Sequence, residues 1–219
     1  MRLYLSSYRT QDTPGDLLAL AGGPRRTVVI SNAVDMIAPA ERQAYARRIH
    51  DPVLELRDAG LDAADLDLRD YFANPVALER DLADVGLVWA VGGNAFLLRR
   101  ALRQSGMDAI LARRLAEDSL AYGGWSAGAC VAGSTLRGLH LMDEPELIMP
   151  GYDPEVIWEG MGLVDFAIVP HFASDHPEAQ AADRAAAYLA AGAIPHRTLR
   201  DGEAILRRGD QIELIGAPI

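Results

Sequence analysis

Short apolar runs alternate along the chain with longer stretches in which apolar residues recur every three or four positions. The short runs predict buried strands, and the longer stretches predict amphipathic helices. The predicted strands cover residues 2–7, 26–33, 64–71, 86–93, 120–126 and 164–172. The predicted helices cover residues 39–60, 74–85, 94–106, 107–119 and 175–192, and a terminal hairpin turned at Gly209-Asp210 covers 203–219. Strands and helices in alternation predict an α/β fold, with a mostly parallel sheet covered by helices on both faces.

One long stretch, residues 134–163, follows neither the strand period nor the helix period. A loop-rich insertion of this length inside a compact domain is more often functional than idle, although the pattern does not tell whether it acts as a lid. The chain has no internal repeat, no low-complexity tract and no linker. We therefore expect a single domain over residues 1–219.

Composition and charge narrow the function classes. The 219 residues are 50% hydrophobic and 24% charged, which is ordinary for a globular protein, and the net charge is −10. Without a basic stripe to offset that charge, neither nucleic acid nor a membrane is an expected partner. The one cysteine, Cys130, excludes an internal disulfide framework and a multi-cysteine zinc site. The polar N-terminus MRLYLSSYRT and the lack of an 18-residue apolar run predict a cytoplasmic protein.

A serine stands between glycines in YGGWSAGACVAG, residues 122–133, directly after a predicted strand. Gly124-Trp125-Ser126-Ala127-Gly128 fits the G-x-S-x-G pattern of a nucleophile elbow, in which the serine occupies a tight turn between a strand and a helix. The stretch ACVAGSTL that follows is compatible with that helix. The pattern alone does not separate a nucleophile from an ordinary glycine turn.

A second glycine turn, VGGNAF at residues 91–96, also follows an apolar strand and opens a helix. The carboxyl ends of parallel strands lie along one edge of a sheet, where ligands bind. The backbone N–H groups of Gly93 or Asn94 could therefore form an oxyanion hole together with the N–H of Ala127. Phosphate-binding glycine motifs are absent from the sequence.

A nucleophilic serine needs a base, and His171 is the best candidate because it ends a predicted strand and follows a proline. His176, at the start of the next helix, is the realistic competitor. The candidates for the acid that orients the base are Asp143, Glu144, Asp175, Glu178 and Asp183. Periodicity does not separate these five carboxylates.

Four segments taken together resemble the peptidase E family, the aspartyl dipeptidases among the serine peptidases: YGGWSAGA, VGGNAFLLRRAL, LRDYF at 68–72, and VPHF. The resemblance runs over about residues 2–215. It implies a flavodoxin-like doubly wound sheet similar to that of class I glutamine amidotransferases. It also implies hydrolysis of dipeptides with an N-terminal aspartate, without a metal or other cofactor, by a protein that forms a homodimer.

Carried over residue by residue, the resemblance makes Ser126 the nucleophile and His171, in Pro-His-Phe, its base. Asp143, in an Asp-x-Pro motif, becomes the preferred third member, and Gly93 and Asn94 match the family's glycine turn. The family's turn often reads Gly-Gly-Asn-Thr, whereas this chain has Ala95 in the last position. For the substrate's side-chain carboxylate, Arg184 on the predicted helix 175–192 is the candidate, through a bidentate contact.

Two other functions remain open from the sequence. One is a related hydrolase of other small amides, esters or β-aspartyl peptides. The other is a non-catalytic binding module on the same fold. A glutamine amidotransferase is disfavoured, because that chemistry uses a cysteine at the elbow and this chain has Ser126 there.

Overall fold

The structure is a computed structural model that describes residues 1–10 and 14–216. Nine strands are described: β1 Arg2–Ser6, β2 Arg26–Ile30, β3 Asp62–Asp65, β4 Leu87–Ala90, β5 Ala121–Trp125, β6 Ala167–Val169, β7 His196–Thr198, β8 Glu203–Arg208 and β9 Gln211–Gly216. The helices in the same part of the chain are α1 Pro14–Ala21, α2 Pro39–Arg48, α3 Pro52–Asp58, α4 Pro75–Asp81, α5 Ala95–Ser105, α6 Met107–Ala116, α7 Ala127–Cys130 and α8 Ala179–Ala191. Within these ranges, no helix is long and apolar enough to span a bilayer.

Seven strands form one twisted sheet in the order β3-β2-β4-β5-β1-β8-β9. Strands β3, β2, β4, β5 and β1 pair in parallel, and β8 and β9 add an antiparallel edge. The run β3-β2-β4-β5 follows the flavodoxin-like order, with β1 in the fifth position. The predicted doubly wound, mostly parallel sheet is confirmed, and so is the terminal hairpin as far as Gly216. Residues 217–219 of that prediction lie outside the described residues.

Both faces of the sheet are covered, because alternate residues of the central strands enter different cores. Val28 and Val88 belong to the larger core, which also contains α5 and α6. Their neighbours Val29 and Trp89 belong to the second core, which α1 and α3 cover. This period of two places a hydrophobic layer on each side of the central strands, as a parallel sheet requires.

The predicted helix over 39–60 is two helices in the structure, α2 and α3. Asp51 ends the run, because its side chain accepts hydrogen bonds from the N–H groups of Val53 and Leu54 and thereby caps α3. Pro52 at the first position of α3 has no N–H with which to continue the preceding helix. The predicted strand 64–71 is likewise shorter: β3 ends at Asp65 and a 3₁₀ helix follows over Leu68–Tyr71.

Several short elements depart further from the prediction. The strand expected over 164–172 is reduced to the three residues of β6, which pairs in parallel with β7 in a separate two-stranded sheet. Strand β7 and helix α1 have no counterpart among the predicted elements. The helix after Ser126 spans only the four residues of α7.

The irregular stretch 134–163 packs against α5, and none of its residues lines the cavity at the carboxyl ends of the strands that is described below. Arg100, a buried residue of α5, donates hydrogen bonds from its guanidinium to the carbonyls of Pro145, Leu147 and Glu155. A buried arginine that satisfies three loop carbonyls fixes a segment that has few regular hydrogen bonds of its own. The stretch therefore belongs to the body of the domain.

The strand order reverses between β2 and β4, and a doubly wound sheet binds ligands outside the carboxyl ends of its strands at such a point. Three turns meet there: the one after β2 containing Asn32, the one after β4 containing Gly93, and the one after β5 containing Ser126. All three residues line one cavity of about 830 Å³. The topology therefore brings the two predicted glycine turns together.

Candidate active site

Ser126 occupies a strained turn between β5 and α7. Its φ of 48° and ψ of −116° lie in a region that residues with a side chain rarely adopt. The conformation is held from both sides: the Ser126 N–H donates to the carbonyls of Ser6 and Ser7 at 3.1 Å, and its own carbonyl accepts from Ala129 and Cys130. This is the backbone geometry of a nucleophile elbow.

Both glycines of the elbow are required by close packing against β4. A Cβ atom on Gly128 would lie 2.1 Å from the carbonyl oxygen of Ala90, and one on Gly124 would lie 2.6 Å from the same atom. Real side chains do not approach a backbone oxygen so closely, so the turn can pack against the neighbouring strand only with glycine at these two positions. The G-x-S-x-G spacing therefore follows from the packing.

The three residues predicted to form an oxyanion hole are not equivalent. Ala127 is the first residue of α7, where a helix leaves its N–H groups without a helical acceptor. Gly93, with a φ of 135°, lines the cavity with Ser126. Asn94 is excluded, because its N–H donates to the Ala33 carbonyl at 2.8 Å and its side chain caps α5 by accepting from Leu97.

His171 lies just beyond β6, with 1% of its surface exposed and a φ of 60°. Its N–H donates to the hydroxyl oxygen of Ser7 at 2.8 Å. Its ring nitrogen Nδ1 lies 2.8 Å from a carboxylate oxygen of Asp201, and that same oxygen accepts the Ser7 hydroxyl at 2.8 Å. Ser7 and Asp201 together fix both the backbone and the ring of the histidine.

The charge state of Asp201 sets the tautomer of His171. Partial burial alone would raise the pKa of Asp201, but hydrogen bonds from His171 and Ser7 outweigh it and hold that pKa below its usual range. A carboxylate can only accept, so Nδ1 carries the proton and donates it. The lone pair of Nε2 is then available to accept a proton.

Asp143 does not partner His171, which corrects the sequence-based preference for it. One of its carboxylate oxygens accepts the N–H of Ala95 at 2.8 Å, at the first turn of α5. Burial raises the pKa of Asp143 to about 7, with a smaller upward contribution from Glu178. Asp143 therefore acts on the helix start beside the glycine turn, and the orienting position belongs to Asp201.

The remaining acid candidates are also removed from the orienting position. Glu178 approaches the opposite ring nitrogen, with 3.9 Å between its Oε2 and His171 Nε2. The other three are exposed to solvent: Glu144, Asp175 and Asp183.

His176 stacks on His171, with ring centroids 3.8 Å apart and an interplanar angle of 7°. The donor atoms of His171, His176 and Glu178 lie within 4.8 Å of one another. Two imidazoles and a carboxylate are ligand types that can bind a transition-metal ion. Two stacked imidazoles direct their in-plane lone pairs along parallel planes and not toward one point. The cluster is therefore arranged for stacking and is not preorganised around an ion.

The cavity beside Ser126 and His171 is also lined by Tyr8 and Trp125. Its volume is in the range of sites for small molecules. Arg184, predicted to bind a substrate carboxylate, is exposed on α8 and does not line the cavity. That assignment is wrong, because an arginine that is not on the cavity wall does not contact a substrate bound there.

Sequence reasoning missed two residues of this arrangement, Ser7 and Asp201. Asp201 stands in the Asp-Gly turn between β7 and β8, 30 residues after His171. The signal that could have found it is the parallel pairing of β6 with β7, which brings together the residues that follow each strand. The sequence predicts a strand that contains β6, but β7 has only three residues, too few for a period to be recognised.

Comparison with known proteins places the chain in a family. The family model described as Peptidase family S51 matches residues 38–215. Peptidase E of Shewanella denitrificans is 25% identical over 228 residues, which cover 98% of this chain and 87% of that protein. A Drosophila melanogaster protein named "Probable alpha-aspartyl dipeptidase" is 28% identical over 179 residues, covering 78% of this chain and 70% of its own. The matched stretches span only 53% and 41% of two further curated relatives.

A solved structure supports the fold independently. The crystal structure of a candidate peptidase E protein from Listeria monocytogenes EGD-e superposes with a TM-score of 0.78, at 19% identity, over 99% of this chain and 98% of that chain. At that identity the likeness establishes the fold. The chain belongs to peptidase family S51, because the family model covers most of its length.

Proposed function

We propose that this chain is a peptidase of the serine type, which cleaves small peptides through an acyl-enzyme on Ser126. The observation that carries the proposal is His171, bound at Nδ1 by Asp201, on the wall of the same cavity as the strained Ser126 turn. A cavity of about 830 Å³ suits a dipeptide better than a folded protein chain.

In the proposed reaction, His171 Nε2 takes the hydroxyl proton of Ser126 as the serine oxygen attacks the peptide carbonyl. Asp201 accepts the hydrogen bond from the Nδ1–H group throughout, and its charge stabilises the imidazolium that forms. The N–H groups of Gly93 and Ala127 stabilise the oxyanion. His171 then passes its proton to the leaving amine, and water activated by the same nitrogen releases the acyl group.

For the substrate, we propose dipeptides with an N-terminal aspartate. The proposal is supported by the name of the Drosophila relative and by the family to which the chain belongs. The carboxylate of such a substrate requires a cation on the cavity wall, and Arg184 does not supply it.

Side-by-side assays of Asp-Leu, β-Asp-Leu, Ala-Leu and a p-nitrophenyl ester test the proposal. We expect Asp-Leu to be cleaved fastest, and we expect Ser126→Ala to abolish cleavage of every substrate in the panel. A well-folded protein that leaves Asp-Leu intact while cleaving another substrate would end the aspartate assignment. Unchanged cleavage by Ser126→Ala would end the serine mechanism.

A further inference from the structure

We propose that Arg42, on α2, binds a carboxylate of the peptide substrate. The assignment rests on the proposed function, because it concerns the same cavity. It replaces Arg184 with a residue that the structure places on the cavity wall.

The charges on the cavity wall leave few alternatives. The chain contains no lysine, so every permanent side-chain cation is an arginine. Among the described residues that line the cavity, Arg42 is the one arginine. The carboxylates on the same wall are Asp35, Glu41, Asp51, Asp65, Asp67 and Glu178. Arg69 does not line the cavity, and its guanidinium is taken up by Asp67 and Asp35. Since like charges repel, Arg42 is the favourable position on the wall for a substrate carboxylate.

The histidines on the wall do not compete as carboxylate binders. His50 is engaged with Glu55 at 2.8 Å, and His171 is the proposed base. Burial and the neighbouring charge of His171 both lower the pKa of His176, which favours its neutral form. Arg42 is therefore the remaining cation on the wall.

The guanidinium of Arg42 is anchored on one side only. Its Nη1 donates to Oδ1 of the buried Asp35 at 3.2 Å. The other oxygen of Asp35 is held separately, by the Tyr152 hydroxyl at 2.5 Å, the Asn32 amide at 2.8 Å and the Arg69 guanidinium at 3.4 Å. A guanidinium has five N–H donors in a rigid fork, so one contact with Asp35 orients the group and leaves donors for a second carboxylate.

Helix α2 has no buried residue, although it forms part of the cavity wall. Packing into one of the two hydrophobic cores therefore does not explain the position of α2. The competing interpretation is that the Arg42–Asp35 contact merely ties α2 to the body of the domain. The two interpretations differ in whether loss of Arg42 affects substrates with and without a given carboxylate equally.

A dipeptide with an N-terminal aspartate offers two carboxylates, one on the aspartate side chain and one at the C-terminus. Binding measured by calorimetry in a Ser126→Ala background, in which the ligand is not cleaved, separates them. The three probes are Asp-Leu, Asn-Leu and Asp-leucinamide, each of the last two lacking one carboxylate. The variants are Arg42→Gln, which can still contact Asp35, and the exposed control Arg184→Gln.

We expect Arg42→Gln to weaken binding of Asp-Leu roughly 10- to 100-fold, the value of a charge-assisted hydrogen bond, while Arg184→Gln changes it less than about twofold. If Arg42 binds the side chain, Asn-Leu is unaffected by Arg42→Gln; if it binds the C-terminus, Asp-leucinamide is unaffected. Equal losses for all three probes, no loss, or no binding of Asp-Leu by the Ser126→Ala parent would each overturn the proposal. Failure of the peptidase mechanism would appear instead as cleavage by Ser126→Ala.

Discussion

Replacing Asp201 with asparagine tests the part of the site that the sequence did not reveal. The substitution keeps the size of the side chain and can keep the hydrogen bond from Ser7. It removes the negative charge 2.8 Å from His171 Nδ1. It also introduces an amide NH₂ that can donate to Nδ1, in which case the proton moves to Nε2. That tautomer cannot accept a proton from Ser126.

The expected size of the effect follows from the two losses together. Asparagine no longer stabilises the imidazolium. It also favours the tautomer of His171 in which Nε2 carries the proton, and because His171 is only 1% exposed, water has little access to restore the other tautomer. The same exchange in a serine protease triad lowers kcat by about 10⁴. We expect kcat to fall roughly 10³- to 10⁴-fold here, which corresponds to a loss of about 4–5.5 kcal/mol of transition-state stabilisation.

Steady-state hydrolysis of Asp-Leu, with circular dichroism to verify folding, measures the effect. The matched control is Asp143→Asn, the same chemical change at the carboxylate that the sequence favoured. Because Asp143 accepts the Ala95 N–H and does not touch His171, its kcat should stay within about threefold of the parent. A folded Asp201→Asn enzyme that keeps kcat within tenfold, beside an inactive Asp143→Asn enzyme, would refute the assignment.

Three stability predictions follow from the packing and charges around the site. Gly128→Ala should lower the free energy of unfolding by about 3 kcal/mol or more in urea denaturation. The control Gly15→Ala, at a position with open space around it, should be neutral or slightly stabilising. Equal effects of the two substitutions would contradict the close packing at Gly128. Asn94→Ala should cost about 1–2 kcal/mol in the same assay through loss of the α5 cap, and an unchanged stability would show that the cap contributes nothing. The pKa of Asp143 is raised from 3.8 in the unfolded chain to about 7 in the folded protein. Ionisation of Asp143 therefore begins to destabilise the folded state above pH 3.8, and the destabilisation is complete above pH 7. Asp143→Asn should therefore become more stable than the parent by about 2–4 kcal/mol between pH 4 and pH 8, and a pH-independent difference would contradict this.

The parts of the fold that the sequence predicts well are those with a strong period. Strand β4 and helix α5 follow from an apolar run ending in two glycines and an amphipathic stretch that closes at Gly106. The elbow follows from its glycines, which the packing against Ala90 requires. These signals are local, so they can be recognised without knowledge of the neighbours.

The parts that escaped prediction depend on contacts between distant segments. Asp201 reaches His171 because β6 and β7 pair in parallel, and the three residues of β7 are too few to be recognised as a strand from the sequence. Asp143 had a motif and the right place in the chain order, but its carboxylate is used at the start of α5. Arg184 belongs to a well-predicted helix, whose orientation relative to the cavity is set by tertiary packing.

The central claim is that Ser126 is a nucleophile activated by the His171–Asp201 pair. Its most direct test is reaction with a fluorophosphonate, followed by intact-protein mass spectrometry and peptide mapping. We predict one adduct per chain, located on Ser126, absent in Ser126→Ala and formed at least about 100-fold more slowly in Asp201→Asn. An unlabelled native protein, or a label on another residue that persists in Ser126→Ala, would contradict the account.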